Sequence, residues 1–363
     1  MEIHWKIGVE VELMAPPGSS RRDLAAHLAG PDGRVRPYFL PQSEPSRVSG
    51  LPTFHNLTLA FAVEDAQGNL IARCVDDLTL QDGLDRGHPP EPGWFRVVSD
   101  DLRLLRLAQR HGRADAGIRG AVEGLAALFG VPLQEGDGGM LRVVDEAGAS
   151  VAIAAPLPGE RHRPCELITP PIDTDHTARL SALLAPAAQL GFTLPAESAT
   201  HIHFDGTVLK SATVLRNLVR LLDAWGDVLK RLVGTNPRCV RLGSWPDALR
   251  TCTEAADFPG LPWSLARQRL RSAKLSKYCD FNLLNLIRDD PEKRTFEVRI
   301  LPGMMETGPI IAAAALFQAI LHRARQPVPR IPVQPWSQVG VLLADLPMDS
   351  EAREHWEAQS SRK

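Results

Sequence analysis

The tightest constraint on this chain lies between Arg294 and Gly303, where apolar and ionic side chains alternate. Successive side chains of an extended strand point to opposite faces. Read that way, Phe296, Val298 and Ile300 share one face, and Thr295, Glu297 and Arg299 share the other. The apolar face needs a core to cover it. The opposite face then carries a carboxylate and a guanidinium two residues apart, aimed the same way.

Three more stretches follow this pattern. From Gly8 to Leu13, Val9, Val11 and Leu13 oppose Glu10 and Glu12; from Ala199 to Phe204, Ile202 and Phe204 oppose His201 and His203. Cys165 to Thr169 sets Glu166 just before the stop at Pro170 and Pro171. Each piece has an ordinary reading on its own. Paired Glu residues often mark a solvated strand face, and a buried His often satisfies a backbone group. A wet Glu–Arg pair contributes only ~0–1 kcal/mol, and a residue before a proline stop can be an edge residue. Four strands of the same design are harder to dismiss. Each packs one side on a core and presents charge on the other, which predicts one sheet with one shared ionic face.

That face has a definite chemistry. Clustered carboxylates repel unless cations neutralise them. Mg2+ takes carboxylate oxygens together with nucleotide phosphates, whereas an imidazole ligand is more typical of Mn2+ or Zn2+. An arginine beside such a site offsets the charge on a transferring phosphoryl group.

In chain order, residues 3 to 13 predict a first strand, followed by a long irregular stretch, about 15 to 52, with a short helix from Arg21 to Leu28. Hairpins are expected from Leu57–Val63 with Leu70–Val75, and from Gly139–Val144 with Ser150–Ala154. A short strand at Trp94–Val98 and helices at Leu102–Gln109 and Ala116–Phe129 lie between them. A helix from Thr174 to Gly191 carries Pro186, where a kink is expected. Ser211 reads as the cap of the longest helix, with Leu215, Leu218, Leu222, Trp225, Leu229 and Leu232 on its buried face. Residues 238 to 257 read as mixed and loop-like, and Ser264 as the cap of a basic helix. Asn282 and Asn285 interrupt the apolar run Phe281–Ile287. Pro309 opens a helix to about Arg325, and a Pro-rich segment with a charged, fraying tail fills 331–363.

Strands and helices mix without regular alternation. The expected fold is therefore α+β: an antiparallel or mixed sheet, helices packed on one face and the active site on the other. Residues 1–330 are expected to form one domain with a large insertion at about 15–140. The net charge of -2, both signs interspersed, gives no nucleic-acid surface and no polybasic membrane anchor. Five scattered cysteines without a CxxC pair point to reduced thiols and a cytoplasmic setting, and the N-terminus has no signal-peptide pattern. The apolar run Ile310–Leu316 is far short of the ~20 residues of a spanning helix.

In this order, Glu10 with Glu12, the run Glu166–Pro171, His201 with His203, Lys277 and Tyr278 with Asn282, and the run Thr295–Arg299 followed by Pro302 and Gly303 resemble the ordered motifs of the amidoligase family. These are carboxylate–amine ligases of the glutamine synthetase and glutamate–cysteine ligase superfamily, and the resemblance spans about residues 5–305. It implies a glutamine-synthetase-like antiparallel sheet whose charged face holds two or three Mg2+, with Mn2+ as the alternative ion, and ATP. It also implies an ATP-dependent carbon–nitrogen ligase that phosphorylates a carboxylate and lets an amine attack the acyl phosphate. By position, Glu12 and Glu166 would hold one metal, and Glu10, His201 and Glu297 another. Arg299 would meet the γ-phosphate and His203 would lie near the nucleotide. Amino-acid or peptide-like substrates and a glutamine amidotransferase partner are inherited with the resemblance.

Around this set, Lys277 follows a basic helix and can touch phosphate, or be a solvated cationic face. Arg161, Arg163 and Asn282 are candidates for substrate binding, with Arg238 and Arg241 behind them. Residues 15–52 and 236–262 are candidates for a lid that excludes water. Three other readings stay open: a zinc-dependent hydrolase, a guanidino-kinase-like enzyme, and a non-catalytic nucleotide-binding relative. The absence of an HExxH helix weighs against the first.

Overall fold

A computed structural model describes residues 1–44, 54–239, 241–288, 293–326 and 339–361. Among them the strands are β1 (Ile7–Met14), β2 (Arg34–Glu44), β3 (Phe54–Glu64), β4 (Leu70–Val75), β5 (Phe95–Ser99), β6 (Gln134–Glu135), β7 (Leu141–Val144), β8 (Ser150–Pro156), β9 (Pro164–Ile168), β10 (Ala199–Asp205), β11 (Phe281–Asn282) and β12 (Thr295–Pro302). The helices are α1 (Arg21–Ala29), α2 (Leu102–His111), α3 (Gly117–Phe129), α4 (His176–Gln189), α5 (Ala212–Val233), α6 (Asp247–Glu254), α7 (Trp263–Arg271), α8 (Leu284–Arg288), α9 (Thr307–Arg325), α10 (Val339–Asp345) and α11 (Ser350–Ser360). The class is α+β, and the strand pairs within each unit are antiparallel.

The chain divides into two compact units, the first comprising Met1–Val11, Thr169–Leu184 and Ala196–Lys363, the second Glu12–Ile168 and Ala185–Pro195. In the first, the strand order is β11–β12–β10–β1. The alternation read from the sequence is realised there: Val9, Ile202, Phe204, Phe296, Val298 and Ile300 are fully buried on the core side. Phe281 sits opposite Val298 on this face, stacks on Phe296 at 6.3 Å and meets Phe317 of α9 at 6.0 Å. Helix α9 is buried all round from Ile310 to Leu321, as expected of a helix at the centre of a unit. Around it, α5 packs along its side, Asn217 donates to the Ala324 carbonyl, and Trp356 of α11 donates to the Ala312 carbonyl. The C-terminal tail, expected to fray, is thus an ordered helix over 350–360, tied down by a buried tryptophan.

In the second unit the order is β9–β4–β3–β5–β8–β7–β6, with β2 paired to β3. Both expected hairpins form. The stretch 15–52 is not irregular throughout: β2 runs along β3 from Arg34 to Glu44, while residues 45–53 lie outside the described set. Prolines are tolerated in such a strand because it pairs on one side only among the described residues. A fully buried Arg21 fastens α1, donating to the carbonyls of Leu59 at 3.0 Å and Arg161 at 2.8 Å, with its guanidinium 4.5 Å from the Trp94 ring centre.

Smaller expectations change. Ser211 precedes α5 but its hydroxyl makes no capping bond, and Ser264 lies inside α7, which starts after Pro262. Residues 238–257 contain α6 rather than loop alone. The Pro-rich 327–338 falls outside the described residues.

Candidate metal and phosphate site

The register of the first unit assembles the site. On β1 and β10, Gly8 faces His203 and Glu10 faces His201. On β10 and β12, His203 faces Glu297; on β11 and β12, Asn282 faces Glu297. Directly opposed residues project to the same side of a sheet, so these groups converge. Between Thr200 and Ile202 the pairing slips, from Leu301 to Val298, so β12 spends three residues where β10 spends two. Such a bulge redirects side chains, and it falls at Arg299 and Ile300. The Arg299 backbone N–H is anchored to the Asp280 carbonyl at 3.0 Å.

The resulting geometry is close. His203 Nε2 lies 3.1 Å from Glu10 Oε1 and 3.9 Å from Glu297 Oε1. His201 Nδ1 lies 3.4 Å from Glu10 Oε2 and 3.8 Å from Glu297 Oε1. Arg299 Nη1 donates to Glu297 Oε1 at 2.6 Å, and Asn282 Nδ2 donates to Glu297 Oε2 at 2.6 Å. Glu297 is 4% exposed and Arg299 9%. Groups with so little water around them must be compensated within the protein.

The protonation states follow from that compensation. Burial works to raise the Glu10 carboxyl, but the His203 charge and bonds from both imidazoles hold it well below the usual carboxylate range. Glu297 is likewise lowered: burial opposes its charge, and His203 and Arg299 overcome the opposition. Burial pushes His203 down, yet Glu10 and Glu297 carry it up to about 9. At neutral pH the cluster therefore holds two carboxylates and an imidazolium in the place where a divalent cation would sit.

The residues fit such an ion. One ligand atom from each of Glu10, His203 and Glu297 lies within 4.8 Å of the others. Ionised carboxylates whose second oxygens are held by neighbours suit a hard cation. The resemblance assigns His201 to the metal and His203 to the nucleotide; the structure sets both imidazoles against Glu10, with His203 in this close trio.

The remaining candidates are placed as follows. Glu12 and Glu166 belong to the second unit, Glu12 buried on β1 and Glu166 half-buried on β9 opposite Val75. Arg161 bonds the Leu80 and Asp77 carbonyls and Asp76, and Arg163 bonds the Ala15 and Gly83 carbonyls and Glu160. Both guanidinium groups are thus engaged with protein groups. Lys277 is exposed, with its ammonium 5.1 Å from the Tyr278 ring centre. Asn282, a candidate for substrate binding, donates to Glu297. Thr295, not among the candidates from the sequence, joins the cluster: its hydroxyl lies 3.1 Å from His203 Nδ1. Its place on the ionic side of β12 was the available signal.

An α+β sheet that gathers carboxylates, imidazoles and a guanidinium on adjacent strands defines a class of site able to grip a cation and an anionic group together. A family model described as "Putative amidoligase enzyme" matches residues 4–321, and the chain belongs to that family, one of ligase-type enzymes. Comparison with curated proteins and with solved structures returned no match.

Proposed function

We propose that this protein is an ATP-dependent carboxylate–amine ligase that uses Mg2+, or Mn2+ in its place, and forms an amide through an acyl phosphate. The observation that carries the reading is the close trio Glu10, His203 and Glu297, with Arg299 2.6 Å from Glu297. Family membership supports the ligase class.

When bound, a divalent cation would supply positive charge that lowers the repulsion between two anions that must meet. The trio would hold it, and Glu12 and Glu166 are proposed to serve a second ion. Arg299 would meet the γ-phosphate, where a fixed guanidinium favours charge that develops during transfer. The substrate carboxylate oxygen forms the new bond to γ-phosphorus as the bond to ADP breaks. The amine nitrogen then forms a bond to the acyl carbon, phosphate leaves with the former carboxylate oxygen, and the nitrogen gives up a proton. Amino acids or peptide-like acids are the proposed acceptors.

The test is ADP release with Mg2+ against a panel of amino acids, small peptides and amines. Acid-dependent release is expected, reduced by at least ~10²-fold in Glu297→Gln, the scale of losing one strong electrostatic stabiliser. Equal turnover by the two proteins would overturn the assignment.

A further inference from the structure

The run Phe281–Ile287 carries two asparagines that the proposed chemistry does not use. Buried apolar segments rarely keep amides without a partner to satisfy them. Both have one, and both partners belong to the site. Asn282, 4% exposed, donates from Nδ2 to Glu297 Oε2 at 2.6 Å, while its Oδ1 accepts the Leu284 backbone N–H at 2.9 Å. Asn285 donates from Nδ2 to Thr295 Oγ1 at 3.2 Å, and Thr295 Oγ1 lies 3.1 Å from His203 Nδ1.

We propose that the short segment 281–285 is a positioning clip, in which Asn282 orients the Glu297 carboxylate and Asn285, through Thr295, orients the His203 ring. The inference rests on the proposed function for its purpose, but its geometry stands alone. Arg299 Nη1 holds Glu297 at Oε1, and a contact on the second oxygen limits rotation about the last torsion. With Asn282 on Oε2, both oxygens are fixed and each keeps a lone pair for an ion. His203 is held at Nδ1, which leaves Nε2 facing Glu10 and Glu297. Backbone pairing reinforces the clip: Asn282 sits directly opposite Glu297, and α8 follows one residue later. Neither asparagine is a catalytic residue here, because each acts through another side chain.

Two measurements on the full-length protein test this. The first is Mn2+ affinity by electron paramagnetic resonance, for wild type, Asn282→Ala and Asn285→Ala. Loss of a group that orients a metal ligand costs ~10–100-fold in affinity, so each variant is expected to bind at least ~10-fold more weakly. The second needs no metal: the His203 ring-nitrogen NMR signals in wild type, Asn285→Ala, Thr295→Val and Thr295→Ser. Asn285→Ala and Thr295→Val are expected to shift these signals, although Asn285 does not touch the ring, and Thr295→Ser is expected to restore the wild-type pattern. Folded variants with unchanged ring signals and unchanged Mn2+ affinity would overturn the clip. If wild type bound no Mn2+, the ligase reading would fail, while the ring signals would still decide whether the clip exists.

Discussion

At the scale of single residues, the site is a balance of charges that titrates as a unit. The sign of its pH dependence follows from His203, whose ordinary value of 6.5 is raised to about 9 in the folded protein. A raised basic group contributes stability in full below 6.5, and that contribution disappears as pH climbs through about 9. Glu10 and Glu297 act at the other end: their lowered values contribute above the ordinary 4.5 and are lost on acidification. Without added metal, the melting temperature should therefore decline between pH 6.5 and about 9, and His203→Gln should flatten that decline. Parallel slopes in the two proteins would show that His203 is not held by its acidic neighbours. Cation binding runs the opposite way. A ligating imidazole must give up its proton, so Mn2+ affinity should strengthen as pH rises over the same interval.

Secondary-structure elements show what sequence can and cannot disclose. The period-two alternation of Phe296, Val298 and Ile300 against Glu297 and Arg299 was legible because one face is buried by a core and the other by polar partners. Strand β2 was not legible. Pro37 and Pro41 lie four residues apart, so their nitrogens point to the same side, and pairing, among the described residues, only with β3 lets that side go without donors. The partner of Glu297 was hidden for another reason. Strand β11 is two residues long, and its position beside β12 is a long-range pairing that no local pattern encodes. The bulge at Arg299 is equally silent, because it depends on β10 for its register. Element packing makes its own prediction. Phe296 is fully buried between Phe204 and Phe281, its ring centre 6.4 Å and 6.3 Å from theirs. Phe296→Ala should cost about 3–5 kcal/mol in denaturant unfolding. A loss below about 1 kcal/mol would mean that these strands do not share that core.

On the scale of the whole chain, the first unit gathers three remote stretches, and its ordering extends close to the C-terminus. Trp356 is 5% exposed and donates to the Ala312 carbonyl on the buried α9, while Arg323 of that helix pairs with Asp345 at 2.9 Å. The charged composition of 350–361 suggested a free tail because one buried tryptophan among many polar residues is a weak signal. Trp356→Ala should destabilise the protein by about 3–5 kcal/mol, measured by denaturant unfolding; an unchanged midpoint would return the tail to solvent. Among the described residues no helix is long and apolar enough to cross a membrane. In the proposed function, distant stretches of one chain meet to hold a divalent cation beside a phosphate. Crystals grown with Mn2+ and a non-hydrolysable ATP analogue, examined for the anomalous signal of manganese, test it most directly. A peak is expected at bonding distance, ~2.1 Å for a hard ion of this size, from Glu10, His203 and Glu297, with a phosphate next to Arg299. Manganese bound elsewhere, with these side chains still paired only to one another, would contradict it.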